Sequence, residues 1–308
     1  MIPDNEIIIG DCRSKLASFP DDHFSACITD PPYNYEFIGR NWDDSEISRR
    51  VERVKDSKTL VKNIPYGSGL AGGVRNSRWY ERVRENIKEY QAWCEEWGRE
   101  LFRTARPGAF LLVFNSTRTI AHVQIAMESA GFYARDILVY RRHSGIPKGL
   151  NAASKLKSLG DNDWEQWTGW HSCLRNEWEA ICMLQKPLID NYVKTIRKSH
   201  VGLLYAEQNC SGFQSNILEQ FTSSRSDVKL DHCTVKPLDL MEFLVRLTVP
   251  NTEGHIVVDP FSGTGTTCLA AQNLGHRFIG IEINDRYARI AEDRLQKELV
   301  SARQQEMF

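Results

Sequence analysis

An open α/β sheet is the fold class this sequence predicts, and two segments at opposite ends of the chain predict it. Toward the C-terminus, Ile256-Val257-Val258-Asp259-Pro260-Phe261-Ser262-Gly263-Thr264-Gly265-Thr266-Thr267 reads as a strand, a glycine turn and a helix start. A second apolar strand, Phe278-Ile279-Gly280-Ile281, then runs into Glu282. Strand, helix and strand in that order make a βαβ unit. Toward the N-terminus, the apolar run Phe24-Ser25-Ala26-Cys27-Ile28-Thr29 reads as a short buried strand. Asp30-Pro31-Pro32-Tyr33 follows it directly, at the strand end where open α/β sheets bind ligands.

In chain order, the stretch at about 35–80 lacks periodicity. It carries Arg40, Arg49, Arg50, Arg53, Lys55, Lys58 and Lys62, then the glycine-rich 67–73, which suits either a mobile loop beside a site or a solvated surface. From Glu85 to Thr104, Ile87, Tyr90, Cys94, Trp97 and Leu101 recur at intervals of three and four. That spacing predicts an amphipathic helix whose aromatics belong to the core. Gly108–Phe114 reads as a buried strand, Arg118–Ala130 as a helix stopped by Gly131, and Ile137–Tyr140 and Trp178–Leu184 as further strands. The helix after the later glycine turn is expected from about Thr266 to Asn273, with Gly275 placed to stop it.

Two stretches, about 141–175 and 187–230, show no strong period. The first mixes Arg141, Arg142, His143, Lys148, Lys155 and Lys157 with Trp164, Trp167 and Trp170; the second holds Lys194, Arg197, Lys198, His200, Arg225 and Lys229. Basic residues among aromatics serve phosphate contact and base stacking, and they equally serve a solvated loop.

Composition narrows the class. The 308 residues, 41% of them hydrophobic, suffice for one large domain or two modest ones. One domain with insertions fits best, because the two candidate half-sites lie at opposite ends of the chain and must fold together. The formal net charge of −1 leaves nucleic-acid contact to a local basic face. Eight cysteines contain no C-x-x-C pair, so reduced thiols and no metal site are expected. A basic-then-apolar leader and a run of about 18 apolar residues are both missing, which predicts a cytoplasmic protein without membrane contact.

The residue types at each half-site suggest a chemistry. The Asp30 carboxylate can accept a hydrogen bond from an exocyclic amino group. Pro31 and Pro32 fix φ and give up their N–H groups, leaving a backbone carbonyl to face the site, and Tyr33 offers a face for a planar base. Together they describe a place for the amino group of a nucleobase, although Asp and Pro also make ordinary tight turns. At the other half-site, Gly263 and Gly265 allow a ligand close to the backbone, and a helix N-terminus presents free N–H groups. An acid such as Glu282, ending the second strand of a βαβ unit, is where a ribose diol is held. The turn is neither G-x-G-x-x-G nor a P-loop. A nucleoside cofactor without pyrophosphate suits it, S-adenosyl-L-methionine foremost; a glycine turn without ligand is the alternative.

These motifs resemble the amino-methyltransferases of DNA, which methylate adenine N6 or cytosine N4. Asp30-Pro31-Pro32-Tyr33 precedes the segment Asp259–Thr267, which resembles the β arrangement of that family, a circular permutation of the common methyltransferase order. Ile7-Ile8-Ile9-Gly10-Asp11-Cys12 resembles the family's opening strand, Thr234-Val235-Lys236-Pro237 the segment before the cofactor strand, and Ser144-Gly145-Ile146-Pro147-Lys148-Gly149 a loop many members carry. The resemblance runs from about 6 to 298, interrupted by stretches without family pattern.

The resemblance implies a Rossmann-like S-adenosylmethionine-dependent methyltransferase fold, circularly permuted, with inserted target-recognition segments. Residues 1–186 then form the catalytic half, with an insertion at about 35–80. Residues 187–230 form the target-recognition segment, with help from 141–175 and 35–80, and 231–308 form the cofactor-binding half. Asp30, Pro31, Pro32 and Tyr33 become the catalytic residues. Glu282 is expected at the cofactor ribose, Asp11 at its adenine, and Asp259, Gly263 and Gly265 at its methionine end. Lys236 and Thr234 line the same place, bordered by Cys12, Phe261, Ser262, Thr266 and Ile283.

The implied substrate is an adenine flipped out of double-stranded DNA, since a duplex hides its amino nitrogen. Cytosine N4 is the alternative, because N4 enzymes of this type more often carry Ser where Asp30 stands. The absence of a Pro-Cys dipeptide argues against cytosine C5 chemistry. A non-catalytic DNA- and cofactor-binding subunit is a reading of another class, opposed by the intact Asp30 and Tyr33. An RNA or protein substrate is weaker, because related protein-modifying enzymes prefer Asn at the first position. A homodimer and a restriction endonuclease are the partners the family implies.

Overall fold

The computed structural model of the protein describes residues 4–33, 77–142, 149–208, 212–221 and 235–306, without the side chains of 77–83 and 299–306. The chain opens with β1 (Glu6–Ile9), α1 (Cys12–Leu16) and β2 (Phe24–Thr29). It resumes with α2 (Ser77–Thr104), β3 (Ala105–Asn115), α3 (Ile120–Ala130), β4 (Tyr133–Arg141), α4 (Ala152–Ser158), β5 (Trp178–Gln185) and α5 (Tyr192–Ser199). Three two-residue strands follow, β6 (Glu207–Gln208), β7 (Gly212–Phe213) and β8 (Ile217–Leu218). The last elements are α6 (Leu238–Thr248), β9 (Ile256–Asp259), α7 (Thr266–Asn273), β10 (Arg277–Glu282) and α8 (Asp285–Glu306).

The main sheet has the order β1-β10-β9-β2-β3-β5-β4-β8. Pairing is parallel from β1 through β10, β9 and β2 to β3, and β5 runs antiparallel to β3. The C-terminal βαβ unit is therefore inserted beside an N-terminal strand, with Ala26 opposite Val257 and Cys27 opposite Val258. This is the circularly permuted, Rossmann-like arrangement expected. The six residues of β2 are all buried, as befits a central parallel strand covered on both faces, which reads as a continuous apolar run and not as an alternation.

Local sequence explains the neighbouring elements. Tyr90, Cys94, Trp97 and Leu101 of α2 are fully buried, so the three-and-four spacing marks the core face, although the helix begins at Ser77 and Ile87 is only half-buried. Gly131 ends α3 at φ 115°, a left-handed conformation that only glycine takes freely. Two helices inside the aperiodic stretches escape the period because they are short, and each is opened by an asparagine cap. Asn151 accepts from the Ser154 N–H at 3.1 Å and Asn191 from the Lys194 N–H at 3.0 Å. Within 187–230, β8 joins the sheet edge, with Val139 opposite Ile217.

The described residues fall into two compact units. One comprises 4–33, 89–141, 179–208, 212–221 and 235–306 and holds the sheet; the other comprises 77–88, 142 and 149–178. In the second unit Lys157 lies over the Trp164 ring at 4.4 Å, and Trp167 meets Trp170 edge-on. Among the described residues no helix is long and apolar enough to cross a membrane. The loop 144–148, Thr234 and nearly all of the stretch at about 35–80 lie outside the described residues.

Candidate active site

Parallel pairing sets the ends of β1, β10, β9 and β2 along one edge of the sheet, and the two half-sites meet where β9 abuts β2. Thr29, the last residue of β2, donates its hydroxyl to Asp259 Oδ1 at 2.7 Å. Thr267 of α7 donates to Asp259 Oδ2 at 2.6 Å, and the Phe261 N–H to Oδ1 at 3.1 Å. Burial pushes the Asp259 carboxyl up to about 6 against the pull of these donors. Asp259 thus serves as a strut, tying the strand that carries Asp30 to the glycine turn.

The turn itself is narrow. Gly265 has φ 78°, and a Cβ placed there would lie 2.8 Å from the Ala291 Cβ of α8, so close packing forbids a side chain. Arg294 of α8 donates to the Thr264 carbonyl at 2.6 Å and to the Thr266 hydroxyl at 3.1 Å, clamping the turn from outside. Glu282 accepts the Gly263 N–H on Oε2 and the Asn284 N–H on Oε1, each at 2.8 Å. Burial raises its carboxyl above the usual range although these N–H groups oppose the shift.

The remaining residues expected on this side border the turn. The Gly10 N–H donates to the Glu282 carbonyl at 2.9 Å, which sets Asp11 one strand over from Glu282. Asp11 caps α1 through the Arg13 N–H and pairs with the Arg13 guanidinium, which holds its carboxyl below the ordinary value. Cys12 is buried, and Ile283 lies half exposed beside Glu282. Phe261 packs against Trp93 and Trp97 of α2 at 5.4 and 5.3 Å. The Ser262 hydroxyl is buried with no hydrogen-bond partner among the described residues. An unused hydroxyl, a helix N-terminus, a strand-end carboxylate and an exposed aliphatic face fit a nucleoside with a zwitterionic amino-acid tail.

At the end of β2, Tyr90 of α2 donates its hydroxyl to the Pro32 carbonyl at 3.0 Å and accepts from Asn115 Nδ2 at 2.8 Å. The Pro31 carbonyl accepts no hydrogen bond among the described residues. Tyr33 donates its hydroxyl to Asp30 Oδ1, and burial drives its phenol well above the ordinary pKa. Lys236 was expected on the cofactor side; its ammonium lies on Asp30 Oδ2 at 2.6 Å and on the Tyr33 hydroxyl at 3.1 Å. It also reaches Glu179 Oε2 at 3.2 Å. Burial would lower its pKa, but Asp30 and Glu179 outweigh burial and leave it raised.

Sequence reasoning missed Glu179, Tyr90 and Thr29 as site residues. Thr29 and Tyr90 look like ordinary strand and helix positions. Glu179 carries a signal, a lone acid in the apolar strand Trp178-Glu179-Ala180-Ile181-Cys182-Met183-Leu184. Its meaning depends on strand direction. Because β5 runs antiparallel, with Ala180 opposite Asn115 at the end of β3, its first residues and not its last stand at the edge that carries Asp30.

Residues 24–293 match the DNA methylase family. The type II methyltransferase M.HindIII of Haemophilus influenzae is 33% identical over 300 residues, covering 91% of this chain and 92% of that protein. The type II methyltransferase M.HinfI, also of Haemophilus influenzae, is 24% identical over 294 residues, covering 95% and 68%. Among solved structures, TTHA0409 of Thermus thermophilus complexed with S-adenosyl-L-methionine matches with a TM-score of 0.55 at 21% identity, over 95% of this chain and 93% of that one. The cytosine-N4-specific PvuII DNA methyltransferase matches with a TM-score of 0.55 at 17% identity, over 93% and 84%. At such identities the solved structures speak to the fold.

Proposed function

This chain belongs to the DNA methylase family, the amino-methyltransferases of adenine N6 and cytosine N4, and we propose that within it the protein is a site-specific adenine-N6 methyltransferase. Its methyl donor is S-adenosyl-L-methionine, which supplies an activated methyl group on a sulfonium. Glu282 takes the ribose hydroxyls, Asp11 the adenine with Ile283 and Cys12 beside it, and the turn from Asp259 to Thr266 the methionine end, with Thr234 nearby.

The observation that carries the reading is the Asp30 carboxylate at the end of β2, tied through the neighbouring Thr29 to the cofactor turn. An aromatic amino nitrogen is a poor nucleophile because its lone pair is delocalised into the ring. Asp30 and the Pro31 carbonyl accept its two N–H groups, so the nitrogen pyramidalises and its lone pair localises. Asp30 then stabilises the positive charge that grows on the nitrogen during transfer, a contact that strengthens toward the transition state. Tyr33 stacks on the flipped base, and Pro32, anchored by Tyr90, holds the turn in place. Adenine is favoured over cytosine because Asp, and not Ser, opens the tetrapeptide. DNA contact falls to the basic and aromatic residues of 187–230, 141–175 and about 35–80. The type II relatives support a restriction endonuclease as the functional partner, and the β order supports a homodimer.

Mass spectrometry of nucleosides from unmethylated DNA incubated with the protein and S-adenosyl-L-methionine tests the reading. N6-methyladenine is expected. N4-methylcytosine would overturn the base assignment and keep the chemistry, and neither product would reject an active DNA methyltransferase.

A further inference from the structure

Lys236 is a buried ammonium that donates to Asp30 Oδ2 at 2.6 Å and to the Tyr33 hydroxyl at 3.1 Å and forms an ion pair with Glu179 Oε2 at 3.2 Å. An ammonium has three hydrogens; two are used on Asp30 and Tyr33, and the third is left to turn toward Glu179. Asp30 and Tyr33 are among the residues read above as catalytic. A cationic N–H donor therefore holds the carboxylate that a target amino group must reach, and it lies 5.4 Å from the centre of the Tyr33 ring. Side-chain exposure is 9% for Lys236 and 11% for Glu179, so a displaced ammonium cannot be rescued by solvent.

We propose that Glu179 is a positioning residue for methyl transfer: it receives the Lys236 ammonium when the target amino group takes that ammonium's place on Asp30. The proposal rests on the reading that Asp30 binds the amino group. Two physical demands favour it. A buried cation that loses one counter-charge needs another within reach, and Glu179 is already in contact. Positive charge grows on the target nitrogen during transfer, so a nearby ammonium held only by Asp30 would oppose the step. Glu179 neutralises that ammonium and leaves the charge of Asp30 to the nitrogen.

The test is single-turnover methyl transfer at saturating cofactor, on DNA whose modified base has been mapped with the wild-type protein. Glu179→Gln is expected to slow transfer roughly 10- to 100-fold while the cofactor dissociation constant stays within about twofold, since the ion pair of Glu179 with Lys236 lies on the Asp30 side of the site. Removing the stranded cation in the double variant Glu179→Gln/Lys236→Gln should recover about tenfold of that loss, which a purely structural glutamate would not allow. Glu179→Asp, which keeps the charge and asks less of folding, should stay within a few-fold of wild type. A wild-type rate in Glu179→Gln, a double variant no faster than the single, or a loss in Glu179→Asp as deep as in Glu179→Gln would each overturn the proposal. Asp30→Ala in the same assay separates the two levels: transfer at the wild-type rate there would sink the Asp30 reading itself, and this inference with it.

Discussion

Thr29 and Asp259 stand 230 residues apart in the chain, yet the hydroxyl of one lies 2.7 Å from the carboxylate of the other. The bond crosses from β2 to β9 at the point where the chain's two ends become neighbours. Thr29 is followed directly by Asp30, and Asp259 leads into the glycine turn, so one contact sets the spacing between the Asp30 carboxylate and that turn. Thr29→Val keeps the shape and removes the donor. Hydrogen bonds to charged groups contribute about 1.5–3 kcal/mol, so a loss of about 2 kcal/mol is expected as a lower denaturant midpoint with unchanged slope. An unaltered midpoint would show that the bond contributes nothing.

Asp259 should also shape the response to pH. Its folded pKa of about 6 lies above the ordinary 3.8, so the folded state holds a proton that the unfolded chain has already released. Between these values stability falls as pH rises, and above about 6 the full penalty is present, on the order of 3 kcal/mol. Asp259→Asn cannot ionise. The stability of the wild type relative to this variant is therefore expected to decline from about pH 4 to pH 6 and then level off. Denaturation of both proteins at several pH values checks it; a constant difference would contradict the buried, proton-holding carboxylate.

Much of this arrangement could be read from residues alone. The strand Phe24–Thr29 and the unit from Ile256 to Glu282 announced themselves because parallel central strands are uniformly apolar and their ends carry turn glycines and acids. The helices α4 and α5 are seven and eight residues long, too short to establish a period, and only their asparagine caps could have marked them. The site residues that escaped act across strands. Glu179 acquires meaning only from the reversed direction of β5, and Lys236, named from the sequence for the cofactor side, gains its place on Asp30 only from where α6 and the segment before it lay its ammonium. Sequence spacing encodes neither.

On the proposed reading Asp30 serves methyl transfer and Glu282 holds the cofactor, so their variants should separate cleanly. Asp30→Ala removes an acceptor that gains strength only as charge develops. It should cut turnover roughly 100- to 1000-fold and leave cofactor affinity intact, with Lys236 retained by Glu179. Glu282→Gln should do the reverse, raising the cofactor dissociation constant roughly 10- to 100-fold through loss of charged hydrogen bonds. Because burial raises the Glu282 carboxyl, wild-type cofactor affinity should begin to fall, as pH is lowered, above the range of an ordinary glutamate. Calorimetry across pH reads both effects, and an unchanged dissociation constant in Glu282→Gln would reject its role.

Tyr90 offers the most discriminating test of how the proline turn is held. Its hydroxyl donates to the Pro32 carbonyl at 3.0 Å and accepts from Asn115 Nδ2 at 2.8 Å, and its ring is fully buried beneath them. Tyr90→Phe keeps the ring and leaves the buried Asn115 amide and the half-buried Pro32 carbonyl short of a partner, at a cost of about 1–3 kcal/mol. Stability alone would not distinguish an anchor from ordinary core. If the hydroxyl fixes the Pro32 carbonyl and with it the turn that carries Asp30 and the Pro31 carbonyl, loosening it should lower kcat roughly tenfold by widening the approach of the amino nitrogen. Cofactor affinity should not change, since the bond lies on the Asp30 side. A Tyr90→Phe protein that is less stable yet turns over at the wild-type rate would assign this network to folding and not to catalysis.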